Sequence, residues 1–449
     1  MKITEHYLKS NYYLITIYVM AFFAFISTGP FQIVNQYIFV SFLLILSVLL
    51  ISFKNTIYTI PVIFALMYSY NQLNPNSNMI DGFNFIYLIP AFLFTSIIIH
   101  LIRFKPTFKM GVLTKPYLWI AIAYIASIFY VDITITYIQL SFMGFIYLLL
   151  YQFYLQTSHT DESYLVRILF FASLLLVLEF TYSIAFGFFT ENTSLSLINR
   201  VLIGMEESWY REDYGFGNIN DVAIHLTLLI SAQFYYVLKY PKQILYWIVP
   251  LFSGFVILLT ASRGGYIGIL TAYIIFIPYM IKNTTKIGKK NALYVLLLVC
   301  SALIVLNPLM KIAFNLAIQG GFDNLDNFTS DRTILYKNAL TVFKKYPVFG
   351  GGWEAMVDRV NPDRIQVFHS TIFQTLAVMG IFGLISLIYY FVQTFKYLFK
   401  NRSLIKDMLL IGIIASQVVG LVDNTMYMLL YTIATLILFS LLENNEEKQ

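Results

Sequence analysis

The chain has 449 residues and a net charge of +6; 59% of its residues are hydrophobic, 18% aromatic and only 12% charged, with a mean hydropathy of +0.73. A soluble domain carries roughly 25% charged residues, so this composition excludes a water-soluble globular protein. The lysines and arginines sit in short clusters between apolar runs, which argues for orientation in a membrane and against nucleic-acid binding.

Apolar runs of about 17–25 residues recur along the whole length, the pattern of membrane-spanning helices. They predict an all-α, polytopic integral membrane protein, one membrane domain over residues 1–449 with about 12–14 spans. The runs lie near 12–28, 37–53, 56–70, 83–102, 117–131, 134–155 and 167–189, then 220–238, 243–261, 264–281 and 291–307, and finally 371–395, 407–422 and 425–442. The first is too long and aromatic for a cleaved signal peptide and reads as a retained span. Cys300 is the single cysteine, so no intramolecular disulfide or cysteine-built metal site is available.

Basic residues occupy alternate loops: Lys2 and Lys9, Lys54, Arg103 to Lys115, Lys239 and Lys242, Lys282 to Lys290, and Lys396 to Lys406. An excess of Lys and Arg marks cytoplasmic loops, which predicts that both termini are cytoplasmic. Two longer segments then face outward, 190–219 and 308–370. Loops beyond about 15 residues are usually functional or disordered. The second contains "RTILYKNALTVFKK", which Ser330 or Asp331 can cap and Pro347 stops, so it predicts a helix lying on the membrane surface.

Chemistry-bearing residues gather on the outward side. In "LLTASRGGYIGIL", Arg263 sits at the turn of a tight helical hairpin, where it either snorkels to the interface or serves a site. In "REDYGFGNIND", Arg211 precedes a Gly-Phe-Gly turn, and Asn218, Asn220 and Asp221 open the next span. Polar groups at a helix N-terminus either cap it or form an anion site. His369 stands at the mouth of the span after the long loop, and His225 lies about a turn inside another. Each is a candidate base near neutral pH or a structural histidine. P-loop, dinucleotide, nucleophile-elbow and zinc-helix motifs are absent, and the carboxylates form no metal-binding cluster. Outward arginines beside a histidine suit a diphosphate leaving group, since arginine grips phosphate bidentately and stays charged.

Four stretches, in order, resemble the O-antigen ligase and polymerase superfamily. "REDYGFGNINDVA" resembles its Arg-x-x-Gly-x-Phe-Gly-Asn-Pro-Asn element, and "TASRGGYIGIL" its Ser-Arg-Gly element. "TSDRTILYKNALTVFKKYPVFGGGW" resembles the Gly-Arg-x-x-x-Trp helix with its Pro-x-x-Gly-x-Gly exit, and "FHSTIFQTLAVMGIFGLI" the His-Asn element. The likeness covers about residues 205–395, with Ile219, Tyr336 and Ser370 standing where the family has Pro, Trp and Asn. The resemblance implies a C-type-like, metal-independent, inverting glycosyltransferase with a long external loop before its last three helices. It implies that Arg211 and Arg263 grip a diphosphate, that Asn218, Asn220 and Arg332 contact substrate, and that His369 activates the acceptor hydroxyl, with no cofactor or metal.

On this reading the protein works in a bacterial inner membrane on undecaprenyl-diphosphate-linked oligosaccharides, with membrane lipid around it and a flippase and a chain-length regulator as implied partners. The abundance of Ile, Asn, Lys and Tyr points to a low-GC organism; if that organism is Gram-positive, no lipid A core exists to be an acceptor, which favours polymerisation of an O-antigen or capsule-type glycan over ligation to another acceptor. A lipid-linked-oligosaccharide flippase is the reading from a different class. It should carry charge within several spans, whereas Glu179 is the main charge here.

Overall fold

The computed structural model describes residues 2–27, 32–70, 88–131, 133–159, 161–190, 219–260, 262–305, 307, 311, 332–356 and 367–446. These residues are almost entirely helical, with no strand among them. The first half holds α1 (Lys2–Leu8), α2 (Asn11–Ile26), α3 (Gln32–Ser52), α4 (Ile60–Ser69), α5 (Leu88–Phe104), α6 (Thr114–Ile125), α7 (Ile135–Thr157) and α8 (Glu162–Thr190). The second holds α9 (Ile219–Lys239), α10 (Leu245–Leu259), α11 (Arg263–Asn283), α12 (Lys286–Val305), α13 (Arg332–Lys345), α14 (Thr371–Phe399), α15 (Leu404–Val419) and α16 (Leu429–Glu446). Among the described residues six helices are long and apolar enough to cross a membrane, and six shorter apolar stretches accompany them. The chain is an all-α, multi-pass membrane protein.

Helix α9 is the centre of the bundle, with nearly every side chain buried. In lipid there is little hydrophobic drive between helices, so close backbone approach and interhelical hydrogen bonds take over. Gln233 in α9 supplies the second, donating from Nε2 to Ser173 Oγ at 2.9 Å and to Ser253 Oγ at 2.7 Å. The glycines of "SRGGYIG" supply the first. A Cβ on Gly265 would come within 2.7 Å of Ala223 in α9, and one on Gly268 within 2.6 Å of Val419 in α15. Gly264 and Gly268 therefore act as a small-xxx-small seam that seats α11 against α15. Ser262 caps α11, its Oγ accepting from the Gly265 N–H at 3.1 Å.

Helix α14 is broken at Gly380, whose φ of 62° and ψ of −156° lie outside the helical range. A break at membrane depth requires new partners for the freed backbone groups. The segment "PVFGGG" provides them. Gly351 and Gly352 N–H groups donate to the carbonyls of Ala377 and Val378 at 2.7 and 3.0 Å, while the N–H groups of Ile381 and Phe382 donate to Pro347 and Val348 at 2.9 and 3.0 Å. The two backbones approach so closely that a Cβ on Gly380 would lie 2.5 Å from the Gly350 nitrogen. Trp353, buried next to this lock, donates from its indole N–H to the Tyr124 carbonyl at 3.0 Å. The segment that follows α13 is thereby tied to α14 and α6, which holds α13 over the start of α14.

Candidate active site

Four structural pieces converge at one end of the bundle: the start of α11, the start of α13, the residues leading into α14, and the turn 420–424 between α15 and α16. The turn is the hub. Arg332, first residue of α13, donates from one guanidinium nitrogen to the Val422 carbonyl, and its other lies 3.7 Å from Asp423 Oδ2. Gly264, beside Arg263, faces Val419 and Val422. The N–H of Thr371 donates to the carbonyls of Gly420 and Asp423 at 2.9 and 3.1 Å.

His369 is set by this frame. Its φ is +45°, a left-handed conformation that costs a non-glycine residue free energy and that surrounding contacts must impose. Those contacts surround it. Tyr336, stacked on Phe373 with ring centroids 4.4 Å apart, donates its hydroxyl to the His369 carbonyl at 3.1 Å. The next N–H, of Ser370, donates to Asn424 Oδ1 at 2.8 Å, and the Phe368 N–H donates to the buried Gln374 Oε1 at 2.9 Å. The imidazole Nδ1 then lies 3.3 Å from Asp423 Oδ1.

A carboxylate beside Nδ1 selects the tautomer with hydrogen on Nδ1 and leaves the lone pair on Nε2. The His369 side chain keeps 31% of its exposure against 13% for Asp423, so the carboxylate is enclosed and the ring has an open edge. Burial pushes the Asp423 carboxyl up. The hydrogen bond from His369, the charge of Arg332 and the Asn424 N–H at 2.9 Å outweigh that and hold it below the usual carboxylate range. Asp423 is thus a fixed anion between two cationic or proton-bearing groups. Asp221, in the first turn of α9, is near enough to feel its charge, and Arg263 feels the charge of Arg332. Among the described residues no group of His, Cys, Asp and Glu has the arrangement of a metal site.

Residues 248–388 match the O-antigen ligase family model. That region carries the domain of the O-antigen ligase and polymerase superfamily. Among curated proteins no relative matches the chain. Members of the O-antigen ligase family are glycosyltransferase-like enzymes acting on lipid-linked glycans. The matched span contains Arg263, Arg332, His369 and the Gly380 lock, whereas Asp221 and the Asp423 turn fall outside it.

Of the residues singled out in the sequence, Arg263, Arg332 and His369 come together, and Asn220 and Asp221 open α9 at the same end. Arg211 and Asn218 lie outside the described residues, as do most of 190–219 and much of 308–370. Arg332 is engaged by the turn 420–424, so it orders the site as well as lining it. His225 is fully buried, with Nδ1 3.4 Å from the Tyr68 hydroxyl and its ring edge-on to that tyrosine. It sits inside the bundle, away from the open edge of His369.

Sequence reasoning passed over Asp423, Asn424 and Gln374. The available signal was "GLVDNTMY", an acid and an amide in the turn of an apolar hairpin, the same pattern that singled out Arg263. Asn424 also bears on the departure at Ser370: where the family has an asparagine after the histidine, here an asparagine side chain reaches the Ser370 backbone from the neighbouring hairpin.

Proposed function

We propose that the protein is a metal-independent, inverting glycan polymerase. It transfers a growing chain from undecaprenyl diphosphate to the hydroxyl of a new lipid-linked repeat unit at the outer face of a bacterial cell membrane. The observation that carries this reading is the Arg332–Asp423–His369 array, with Arg263 beside it, within and next to the O-antigen ligase domain. The basic loops between the spans support the outward placement of that end of the bundle.

A sugar hydroxyl is a poor nucleophile at neutral pH, and a positioned base contributes roughly 10²–10⁴-fold. With Nδ1–H directed at Asp423, His369 Nε2 accepts the proton of the acceptor hydroxyl as its oxygen attacks the anomeric carbon. The carbon–oxygen bond to the diphosphate breaks, and its electron pair leaves on the diphosphate oxygen. Asp423 stabilises the imidazolium that forms, in the manner of the acid in a Ser-His-Asp triad. Arg263 faces the developing negative charge, and Arg211 and Asn218 are assigned to the same diphosphate by the sequence resemblance. Arg332 holds Asp423 in place and adds positive charge at the rim, with Asn220 at the mouth of α9. Attack opposite the leaving group inverts the anomeric centre.

Purified protein reconstituted with a lipid-linked repeat unit tests this directly. A polymerase yields a ladder of lengthening chains on a gel. A single transfer to an acceptor that lacks a lipid diphosphate, with no ladder, would identify a ligase-type reaction instead.

A further inference from the structure

The lysine-rich end of the bundle holds a cavity of about 330 Å³ that the reaction does not use. Asn444, at the far end of α16 from the Asp423 turn, lines it together with Lys54, His100, Lys105, Lys109 and His159. Its walls are stitched by reciprocal amide contacts. Asn55 donates to the His159 carbonyl at 2.6 Å while accepting from the His159 N–H at 2.8 Å. Gln156 does the same with the Lys109 backbone, at 2.7 and 3.0 Å. Lys109 Nζ donates to Asn444 Oδ1 at 2.8 Å. The nearby acid Glu443 is not part of the lining and accepts instead from the Val112 N–H and the Tyr151 hydroxyl, at 2.6 and 2.8 Å. The lining therefore carries three lysines and no carboxylate, and Glu443 behind it feels the charge of Lys109.

His100 adds a different chemistry. It is fully buried, and its Nδ1 lies 2.7 Å from the Leu50 carbonyl. A carbonyl only accepts, so Nδ1 carries the hydrogen and Nε2 presents a lone pair. That Nε2 is buried and makes no hydrogen bond within the protein, and His100 is one of the residues lining the cavity. A buried polar atom of this kind calls for a partner. The cavity thus offers ammonium donors for an anion and one deep acceptor for a hydroxyl. Its volume is at the low end for ligand sites, which fits a headgroup and not an extended molecule. Phe108 and Met110, in the segment that supplies Lys105 and Lys109, are exposed, and an apolar rim beside a cationic pocket places the opening at a lipid surface.

We propose that this cavity binds the glycerophosphate headgroup of an anionic membrane lipid, with the lysines on the phosphate and His100 Nε2 accepting from a glycerol hydroxyl. The site is independent of the transfer reaction at the other end of α16.

Native mass spectrometry of the full-length protein tests it, titrating four probes separately: phosphatidylglycerol, phosphatidylmethanol (the same charge without the hydroxyls), zwitterionic phosphatidylcholine, and free glycerol phosphate. Phosphatidylglycerol should bind tightest. Lys54→Gln and Lys105→Gln, both at exposed positions, should each weaken it about fivefold, the effect of one lysine near an anionic surface. His100→Leu should erase the preference over phosphatidylmethanol. Equal binding of phosphatidylcholine, or lysine variants that bind as wild type does, would overturn the proposal. So would free glycerol phosphate binding as tightly as the lipid, since the ligand would then be a soluble phosphate. Equal binding of phosphatidylglycerol and phosphatidylmethanol by the wild type would overturn the role of His100.

Discussion

Replacing Asp423 by Asn isolates the contribution of a charge with almost no change in shape. Three groups converge on this carboxylate: His369 Nδ1 at 3.3 Å and the Asn424 N–H at 2.9 Å on Oδ1, and Arg332 at 3.7 Å on Oδ2. An asparagine can keep its oxygen toward His369 and Asn424 only by setting its NH₂ group against the Arg332 guanidinium. Flipped, it sets the NH₂ group against two N–H donors. Neither rotamer satisfies all three partners, and neither carries the negative charge that stabilises the imidazolium. A hydrogen bond to a charged group contributes about 1.5–3 kcal/mol, and each ~1.36 kcal/mol is tenfold in rate. Transfer by Asp423→Asn should therefore slow about 10- to 150-fold, while affinity for the lipid-linked donor changes little, because Asp423 acts on the base and not on the diphosphate. Single-turnover transfer and donor binding, measured separately in reconstituted protein, give the two numbers. A wild-type transfer rate, or a loss confined to donor binding, would refute the assignment of Asp423 as the residue that orients His369.

Other consequences are equally direct. Arg263→Lys should lose most of the activity lost by Arg263→Ala, because an ammonium cannot reproduce bidentate phosphate contact; full polymer length on a gel for the lysine variant would reduce Arg263 to a point charge. Gly380→Ala puts a Cβ 2.5 Å from the Gly350 nitrogen at a φ of 62°, so it should lower the melting temperature by several degrees and reduce the folded fraction in size-exclusion chromatography, whereas a wild-type melt would contradict the backbone lock. The folded carboxyl of Asp423 lies below its ordinary value of 3.8, so its ionised form stabilises the fold above that pH, and the benefit fades as the pH falls through the lower folded value. The stability difference between wild type and Asp423→Asn should accordingly shrink as the pH falls below about 4; a difference that went on growing below that pH would reverse the sign. A cysteine at Asn324 in a Cys300→Ser background should react with an impermeant maleimide in intact cells, and labelling only after permeabilisation would invert the proposed orientation.

The helices were legible because lipid imposes a single rule, that backbone polar groups be satisfied within each segment, and the apolar runs of the sequence follow it. The arginine and histidine candidates were legible for a related reason: a charge at the edge of an apolar run is costly and stands out. What escaped was the partner set. Asp423 and Asn424 sit some fifty residues from His369, and only the packing of α14 against the α15–α16 turn makes them neighbours. The glycine motifs carried a second ambiguity. A Cβ on Gly264 or Gly268 would meet Val419, yet a groove sized for a neighbouring helix and one sized for a substrate demand the same residue in the sequence. The "PVFGGG" exit was legible as a motif. Its pairing with a break at Gly380 was not, since Gly380 sits in "AVMGIFGL", a run that reads as continuous helix.

With His369 as the base, two histidine variants should behave differently. His369→Ala and His225→Ala are reconstituted side by side, supplied with a lipid-linked repeat unit, and assayed for donor binding and for chain transfer. His369→Ala should bind the donor but transfer roughly 10²–10⁴-fold more slowly, while His225→Ala should lose activity only modestly, through packing against Tyr68. Wild-type transfer by His369→Ala together with loss in His225→Ala would contradict that assignment of the base.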